Sequence, residues 1–189
     1  WMEGREYRTK ISTLRGDYRD EKGIIRNRLR AWEVSDFKPR PEDLYQERLY
    51  GVLWARPVAD RHRDELEFRS VTEADLARER KVEEYVAAHL ADWQAEGWVP
   101  DMRIEPGYNT DQPIRERNWT YWHHLFNPRQ LLLGALVNQH AGANGKFGLV
   151  QMLNYNSRLS IWLGRKSRGY GLNVQTFVNQ ALNTLWNYG

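Results

Sequence analysis

The stretch from Thr72 to Gly97 constrains the fold more than any other part of this sequence. Thr72 and Asp75 have the spacing of a capping box, in which each side chain accepts a hydrogen bond from the other residue's backbone amide. Apolar residues then recur at four- and three-residue steps, the period of one helical face: Val82, Val86, Leu90 and Trp93. The pattern predicts a long helix that ends near Gly97, buries one stripe and presents charge on its other face.

Strand patterns precede this helix. Residues 50–55 are rich in strand-forming side chains, and Leu66 and Phe68 alternate with charged residues. We expect a two-stranded ribbon closed by the charged loop 59–64, with one face buried and the other in water. Further upstream, the highly charged residues 1–40 suggest short strands followed by a basic helix around residues 22–32.

Prolines and glycines divide the rest of the chain. Lys38-Pro-Arg-Pro41 favours extended backbone and is a candidate hinge or linker. Residues 98–118 predict a long irregular connection, because prolines and a glycine interrupt them. Asn127 and Pro128 suit a helix start, since Asn accepts from free amides and Pro fits the first helical position.

The segments after this start are mostly helical in our interpretation. The apolar run 131–137 predicts deep burial. A second helix follows over residues 147–163, with Leu149, Leu153, Leu159 and Trp162 inward. A mobile basic loop at 164–171 and a final helix at 176–186 complete the sequence. The predicted fold class is therefore a helix-rich α+β chain, with a short N-terminal β-ribbon and a mostly helical C-terminal half.

These patterns divide the chain into three regions. We expect a charged N-terminal segment over 1–40, then the ribbon, long helix and loop over 41–118, and a helical basic region over 119–189. The chain opens on Trp1 and closes in an apolar segment. We interpret it as one compact unit excised from a larger protein.

Charge is distributed very unevenly along the sequence. All 25 acidic residues lie at or before Glu116, so the net charge of +3 combines an acidic first part with a basic last part. A surface cleared of carboxylates suits a phosphate backbone, because like-charge repulsion is absent and Lys and Arg release condensed counterions. This region carries the residues predicted to bind nucleic acid: Arg129, Lys146, Arg158, Arg165, Lys166, Arg168 and Tyr170.

The last four of these residues share one glycine-framed loop. Its cations, hydroxyl and aromatic ring could contact phosphates and stack on a base, although an ordinary solvated loop has the same composition. A second feature is the run Asn154-Tyr155-Asn156-Ser157, which we place inside a helix. Buried amides there need internal partners, so the run is either a functional network or a structural one.

Catalytic and cofactor motifs do not occur in the sequence. It has no cysteine, and the adjacent His123 and His124 point in different directions on a helix or strand, so we expect hydrogen-bonding roles and no metal site. No nucleophile elbow and no glycine-rich nucleotide motif is present. We therefore predict no catalytic, cofactor-binding or metal-binding residue, and a stand-alone enzyme with a histidine base would lack a companion nucleophile. No apolar run is long enough to span a membrane, and we expect a cytoplasmic protein.

Five collinear segments resemble one protein family. They are Glu47-Arg-Leu-Tyr-Gly-Val-Leu-Trp54, Pro100-Asp-Met-Arg-Ile-Glu-Pro-Gly107, Trp122-His-His-Leu-Phe-Asn-Pro-Arg-Gln-Leu-Leu-Leu133, Asn154-Tyr-Asn-Ser-Arg-Leu-Ser-Ile-Trp162 and Thr176-Phe-Val-Asn-Gln-Ala-Leu-Asn-Thr-Leu-Trp186. Together they resemble the middle of large bacterial and archaeal adenine-specific DNA methylases, which have an N-terminal domain of unknown function and often a zinc ribbon. The resemblance covers about residues 40–189.

The resemblance implies a parent enzyme that transfers a methyl group from S-adenosylmethionine to adenine in DNA, within restriction-modification or phage defence. The family's glycine-rich cofactor loop and Asp/Asn-Pro-Pro-Tyr motif are both missing, as are the ribbon cysteines. The chain would then lie between the two motifs, inactive alone, contacting DNA and the parent's other domains. An alternative hypothesis is a protein-docking scaffold of a bacterial defence system.

Overall fold

The structure is a computed structural model that describes residues 8–57, 65–108, 110–160, 162–164 and 171–173. Within these residues the chain is α+β, as predicted. In chain order the elements are α1 (Ile11–Arg15), β1 (Tyr18–Arg19), β2 (Ile25–Arg26), β3 (Gly51–Arg56), β4 (Glu65–Ser70), α2 (Glu73–Ala95), α3 (Asp111–Arg117), a 3₁₀ helix (Trp122–Leu125), α4 (Pro128–His140), α5 (Ala143–Tyr155), β5 (Trp162–Gly164) and β6 (Gly171–Asn173). Each described strand pairs antiparallel with its neighbour in sequence.

The first 40 residues differ from the prediction, because a tight hairpin replaces the basic helix around residues 22–32. The carboxylate of Asp20 accepts hydrogen bonds from the backbone amides of Lys22 and Ile24, at 3.0 and 2.9 Å. Gly23 completes the turn at φ 76°. Such local side-chain bonds compete with helix formation, which is why the basic stretch does not become helical.

The ribbon of β3 and β4 forms where the sequence placed it, but its apolar face is not buried. Leu53 lies opposite Phe68 and Ala55 opposite Leu66, so these side chains share one face. Phe68 is 62% exposed and Leu66 is 37% exposed. The predicted alternation of the ribbon is therefore confirmed. The prediction that one of its faces is buried is wrong within the described residues.

Helix α2 confirms the strongest sequence pattern. Its capping box is complete, because Thr72 accepts from the Asp75 amide and Asp75 accepts from the Thr72 amide. The predicted stripe packs on α4 and forms one core cluster, whose buried members are Val86, Leu90, Trp93, Val99, Leu131 and Ala135. A second cluster comprises Trp32, Ile104, Trp119, Leu125 and Leu159.

Residues 98–118 are not wholly irregular, since α3 lies within them. Pro113 occupies the first turn of α3, where a missing amide hydrogen costs no intrahelical bond. The helix ends at Asn118, whose φ of 57° places it in the left-handed region. The proline was interpreted as a helix breaker, whereas at this position it is compatible with a helix start.

Helix α4 starts as predicted, whereas α5 begins at Ala143, before the predicted start at residue 147, and ends before its predicted end. Asn127 and Gln130 form a capping box at the start of α4. Leu133 is nevertheless 50% exposed, so the apolar run is buried on one side only. Helix α5 ends at Tyr155, and β5 occupies part of the range predicted as helix. Residues 165–170 and the predicted helix 176–186 lie outside the described residues.

Candidate functional site

The guanidinium of Arg158 is completely buried, and all five of its N–H groups have acceptors. Its Nε and Nη2 donate to the two carboxylate oxygens of Glu47 at 2.7 and 3.0 Å. Its Nη1 donates to the carbonyls of His124, at 2.7 Å, and Phe126. Its Nη2 also donates to the carbonyl of Phe37 at 2.9 Å. One side chain thus connects three separate stretches of the chain.

Two tryptophans complete the surroundings of Arg158. Its guanidinium carbon lies 5.4 Å from the ring centre of Trp32 and 5.6 Å from that of Trp119. Its side chain has no exposed surface, so it cannot reach a nucleic acid. The structure therefore contradicts the predicted nucleic-acid role of Arg158 and makes it a core residue.

The other predicted nucleic-acid residues have separate positions. Arg129 is exposed and forms an ion pair with Glu79, at 3.2 Å. Lys146 is exposed on α5. The remaining predicted residues, Arg165, Lys166, Arg168 and Tyr170, lie outside the described residues. The acid-free part of the sequence therefore has a carboxylate neighbour in the folded chain, because Glu79 of α2 pairs with Arg129.

The run Asn154-Tyr155-Asn156-Ser157 straddles the end of α5, so it is not inside a helix as expected. Asn156 donates to the carbonyl of Met152 at 2.8 Å. The hydroxyl of Ser157 accepts from the amide of Leu159 at 3.2 Å. The Ser157 bond belongs to the buried turn that carries Arg158, while a functional role of the whole run stays a prediction.

His123 and His124 are both fully buried and bonded to backbone groups. In His124, Nε2 donates to the carbonyl of Glu33 at 2.8 Å, while Nδ1 accepts from the amides of Thr120 and Tyr121. In His123, Nδ1 and Nε2 face the carbonyls of Pro100 and Asp36 at 3.0 and 3.1 Å. The rings join distant stretches of backbone, and neither is accessible as a base for a substrate.

Burial sets the protonation of this histidine pair. Loss of solvation lowers the pKa of both rings, and the neighbouring His123 and Arg158 add to the effect on His124. The pKa of His124 falls to about 3. Protonation at Nδ1 would also remove the acceptor that holds two backbone amides, so the neutral ring fits the geometry.

A large cleft lies between the N-terminal segment, residues 38–53 and α2. Its volume is about 1660 Å³. Most carboxylates on its walls are already paired: Asp43 with Arg30, Glu47 with Arg158, Glu79 with Arg129 and Glu83 with Lys38. The walls therefore offer few free negative charges to a ligand.

Four wall arginines have no carboxylate partner among the described residues: Arg28, Arg48, Arg80 and Arg117. Glu42 is the one wall carboxylate in the described chain that also lacks an ion pair. The unpaired charge of the cleft is therefore positive. Sequence reasoning missed this site, because its arginines come from four distant segments and the acids around them mask their charge in any linear count.

The described residues do not form a site that fits S-adenosylmethionine. Nucleotide-type cofactors of α/β enzymes bind at the carboxyl ends of parallel strands, beside a glycine-rich loop that opens a helix. The described strands form antiparallel pairs only. His, Asp and Glu side chains of the described residues form no group of three that could hold a metal ion. None of the described helices has the length and apolar character needed to cross a membrane.

Comparisons with known proteins found no family model that matches the chain, and no curated protein or solved structure that is significantly similar to it.

Replacing Arg158 by Ala should lower the free energy of unfolding by at least about 3 kcal/mol, because three carbonyls bonded to its buried guanidinium would lose their donor, at about 1–3 kcal/mol each. Loss of the ion pair adds less, since the Glu47 side chain is 39% exposed and can be solvated. Urea denaturation measures the change. The matched control is Arg129→Ala, whose exposed pair with Glu79 contributes less than about 1 kcal/mol. Equal losses in the two variants would contradict the central position of Arg158.

The stability of the protein should fall as the pH decreases from about 6.5 towards 3. The unfolded chain binds a proton at His124 in this window, whereas the folded chain does not. The His124 contribution to the slope is at most about 1.4 kcal/mol per pH unit. His124→Gln should flatten the pH profile by that amount in chemical denaturation. An unaltered profile in His124→Gln would show that this ring does not titrate on unfolding.

Proposed function

We propose that this chain is an interior region of an S-adenosylmethionine-dependent adenine-specific DNA methyltransferase, and that its cleft contacts DNA. The family assignment depends on the resemblance of five collinear segments. The DNA contact depends on one structural observation, the unpaired arginines of the cleft. Such a protein would act in the cytoplasm, where bacterial and archaeal DNA is found.

The cleft arginines suit the backbone of a polyanion. Arg48 and Arg80 are exposed, and Arg28 is exposed beside Tyr18, its guanidinium carbon 5.5 Å from the ring centre. Arginine offers a planar fork of donors that matches phosphate oxygens. Contacts of this kind position a protein on DNA without reading its sequence. The chain would hold DNA for catalytic and cofactor-binding motifs located elsewhere in the parent enzyme.

Fluorescence anisotropy with a labelled DNA duplex tests this proposal. We expect salt-dependent binding, and the double variant Arg48→Ala/Arg80→Ala should reduce the slope of log affinity against log salt by about two. Arg129→Ala is the control, because its guanidinium already pairs with Glu79. Absent or salt-independent binding would overturn the DNA contact. An equal effect of the control would show that pairing with a carboxylate does not decide which arginines of the cleft contact DNA.

A protein-docking scaffold is the second candidate function, and the ribbon of β3 and β4 favours it. Its apolar face is exposed at Phe68 and Leu66. A two-stranded ribbon is marginally stable alone, and exposed apolar patches often mark protein contacts. In this case Phe68→Ser should abolish association of the chain with the remaining domains of its parent, measured by calorimetry, while Arg48→Ala/Arg80→Ala should not. The reverse pattern would exclude the ribbon as the docking surface.

A further inference from the structure

Arg117 is the most buried of the unpaired cleft arginines. It is the last residue of α3, and its Nη1 donates to the carbonyl of Glu116 at 3.0 Å. Its guanidinium carbon lies 4.1 Å from the ring centre of Tyr45. Burial lowers the pKa of Arg117, because the charged form has lost solvation without gaining a carboxylate at ion-pair distance. Stacking on a ring leaves the edges of a guanidinium available as donors.

Tyr45 adds a second unusual group at the same place. Its hydroxyl oxygen is buried and has no hydrogen-bond partner among the residues that the structure describes. Buried polar groups are normally paired, and an unpaired one costs about 1–3 kcal/mol. Tyr45 lies in residues 38–50, which contain no helix or strand. A small movement of this segment would present the hydroxyl to the cleft, which both residues line.

We propose that Arg117 and Tyr45 form a subsite that binds one phosphate group on the wall of the cleft. The guanidinium provides several donors in one plane, and the hydroxyl provides one from another direction. Phosphate oxygens are tetrahedrally arranged and can accept from both directions at once. The other unpaired arginines give the cleft a positive potential that attracts such an anion.

Two sources could supply this phosphate group, namely the DNA backbone and a free phosphate. The DNA source rests on the proposed function, and the free phosphate does not. The subsite explains why the chain tolerates a desolvated cation beside an unpaired hydroxyl. Sites that bind a ligand often carry such costs in the absence of the ligand, and the ligand removes them.

The test combines thermal stability with phosphate titration on the whole chain. Sodium phosphate should raise the Tm of the unaltered protein above that in sodium chloride of equal ionic strength. Tyr45→Phe should leave the Tm without phosphate unchanged or higher, because it removes an unpaired buried hydroxyl. It should weaken phosphate binding about three- to tenfold, the range for one hydrogen bond. A merely structural hydroxyl would not produce these opposite effects.

Two further variants make the result decisive. Arg117→Gln should abolish the response to phosphate, whereas Tyr108→Phe should behave as the unaltered protein, because Tyr108 is 96% exposed. The subsite is overturned if phosphate does not stabilise the unaltered chain, or if Tyr45→Phe binds phosphate normally. If Arg117→Gln does not fold, Tyr45→Phe decides the question alone.

Duplex DNA separates the two sources. Weaker DNA binding in Tyr45→Phe identifies the backbone as the source. Unchanged DNA binding with weakened phosphate binding in the same variant identifies free phosphate, and the subsite then stands. Complete absence of DNA binding, with the phosphate response intact, overturns the proposed function and leaves the subsite in place.

Discussion

The guanidinium of Arg158 holds the C-terminal part of the described chain against its N-terminal part. It bonds Glu47, the carbonyl of Phe37 and two carbonyls of the 3₁₀ helix region, and the rings of Trp32 and Trp119 lie next to it. Desolvating this cation is costly, and only complete pairing offsets that cost. The bonds therefore anchor Phe37 and Glu47, at the two ends of a segment that lines the cleft. The buried histidines extend the same connection, because His123 and His124 bond to carbonyls of residues 33–36.

The distribution of charge has a different meaning in three dimensions than along the chain. Of the predicted basic residues, Arg158 is buried and Arg129 pairs with a carboxylate of α2. The free positive charge of the described residues instead includes the cleft arginines, three of which come from the acidic first part of the sequence. Most carboxylates of the cleft form ion pairs. The arginines without an ion pair therefore determine which ligand the cleft attracts. Arg117 is one of the cleft arginines and is also the first residue of the acid-free part of the sequence, directly after Glu116.

The sequence predicted the elements whose signals are local. The Thr72 capping box, the helix start at Asn127 and Pro128, the α2 stripe and the alternation of β3 and β4 all depend on short-range spacing. Tertiary contacts decided the rest. No residue near Arg158 in the sequence indicates that it pairs with Glu47. The helix predicted over 147–163 ends early, because the serine hydroxyls of the turn at Ser157 accept from the turn's own amides. Composition alone also does not show that Pro113 falls in the first turn of a helix, so the irregular connection predicted over residues 98–118 omits α3. The cleft could not be foreseen, because it is assembled from segments that are far apart.

Hydrogen–deuterium exchange of the chain, measured with and without duplex DNA, shows directly which residues the duplex covers. If the cleft contacts DNA, the duplex should slow amide exchange in residues 44–50 and 115–118 and around Arg28. These segments carry three of the unpaired arginines. Protection confined to residues 146–170, with the cleft segments unchanged, would contradict the account and return the interface to the basic C-terminal loop.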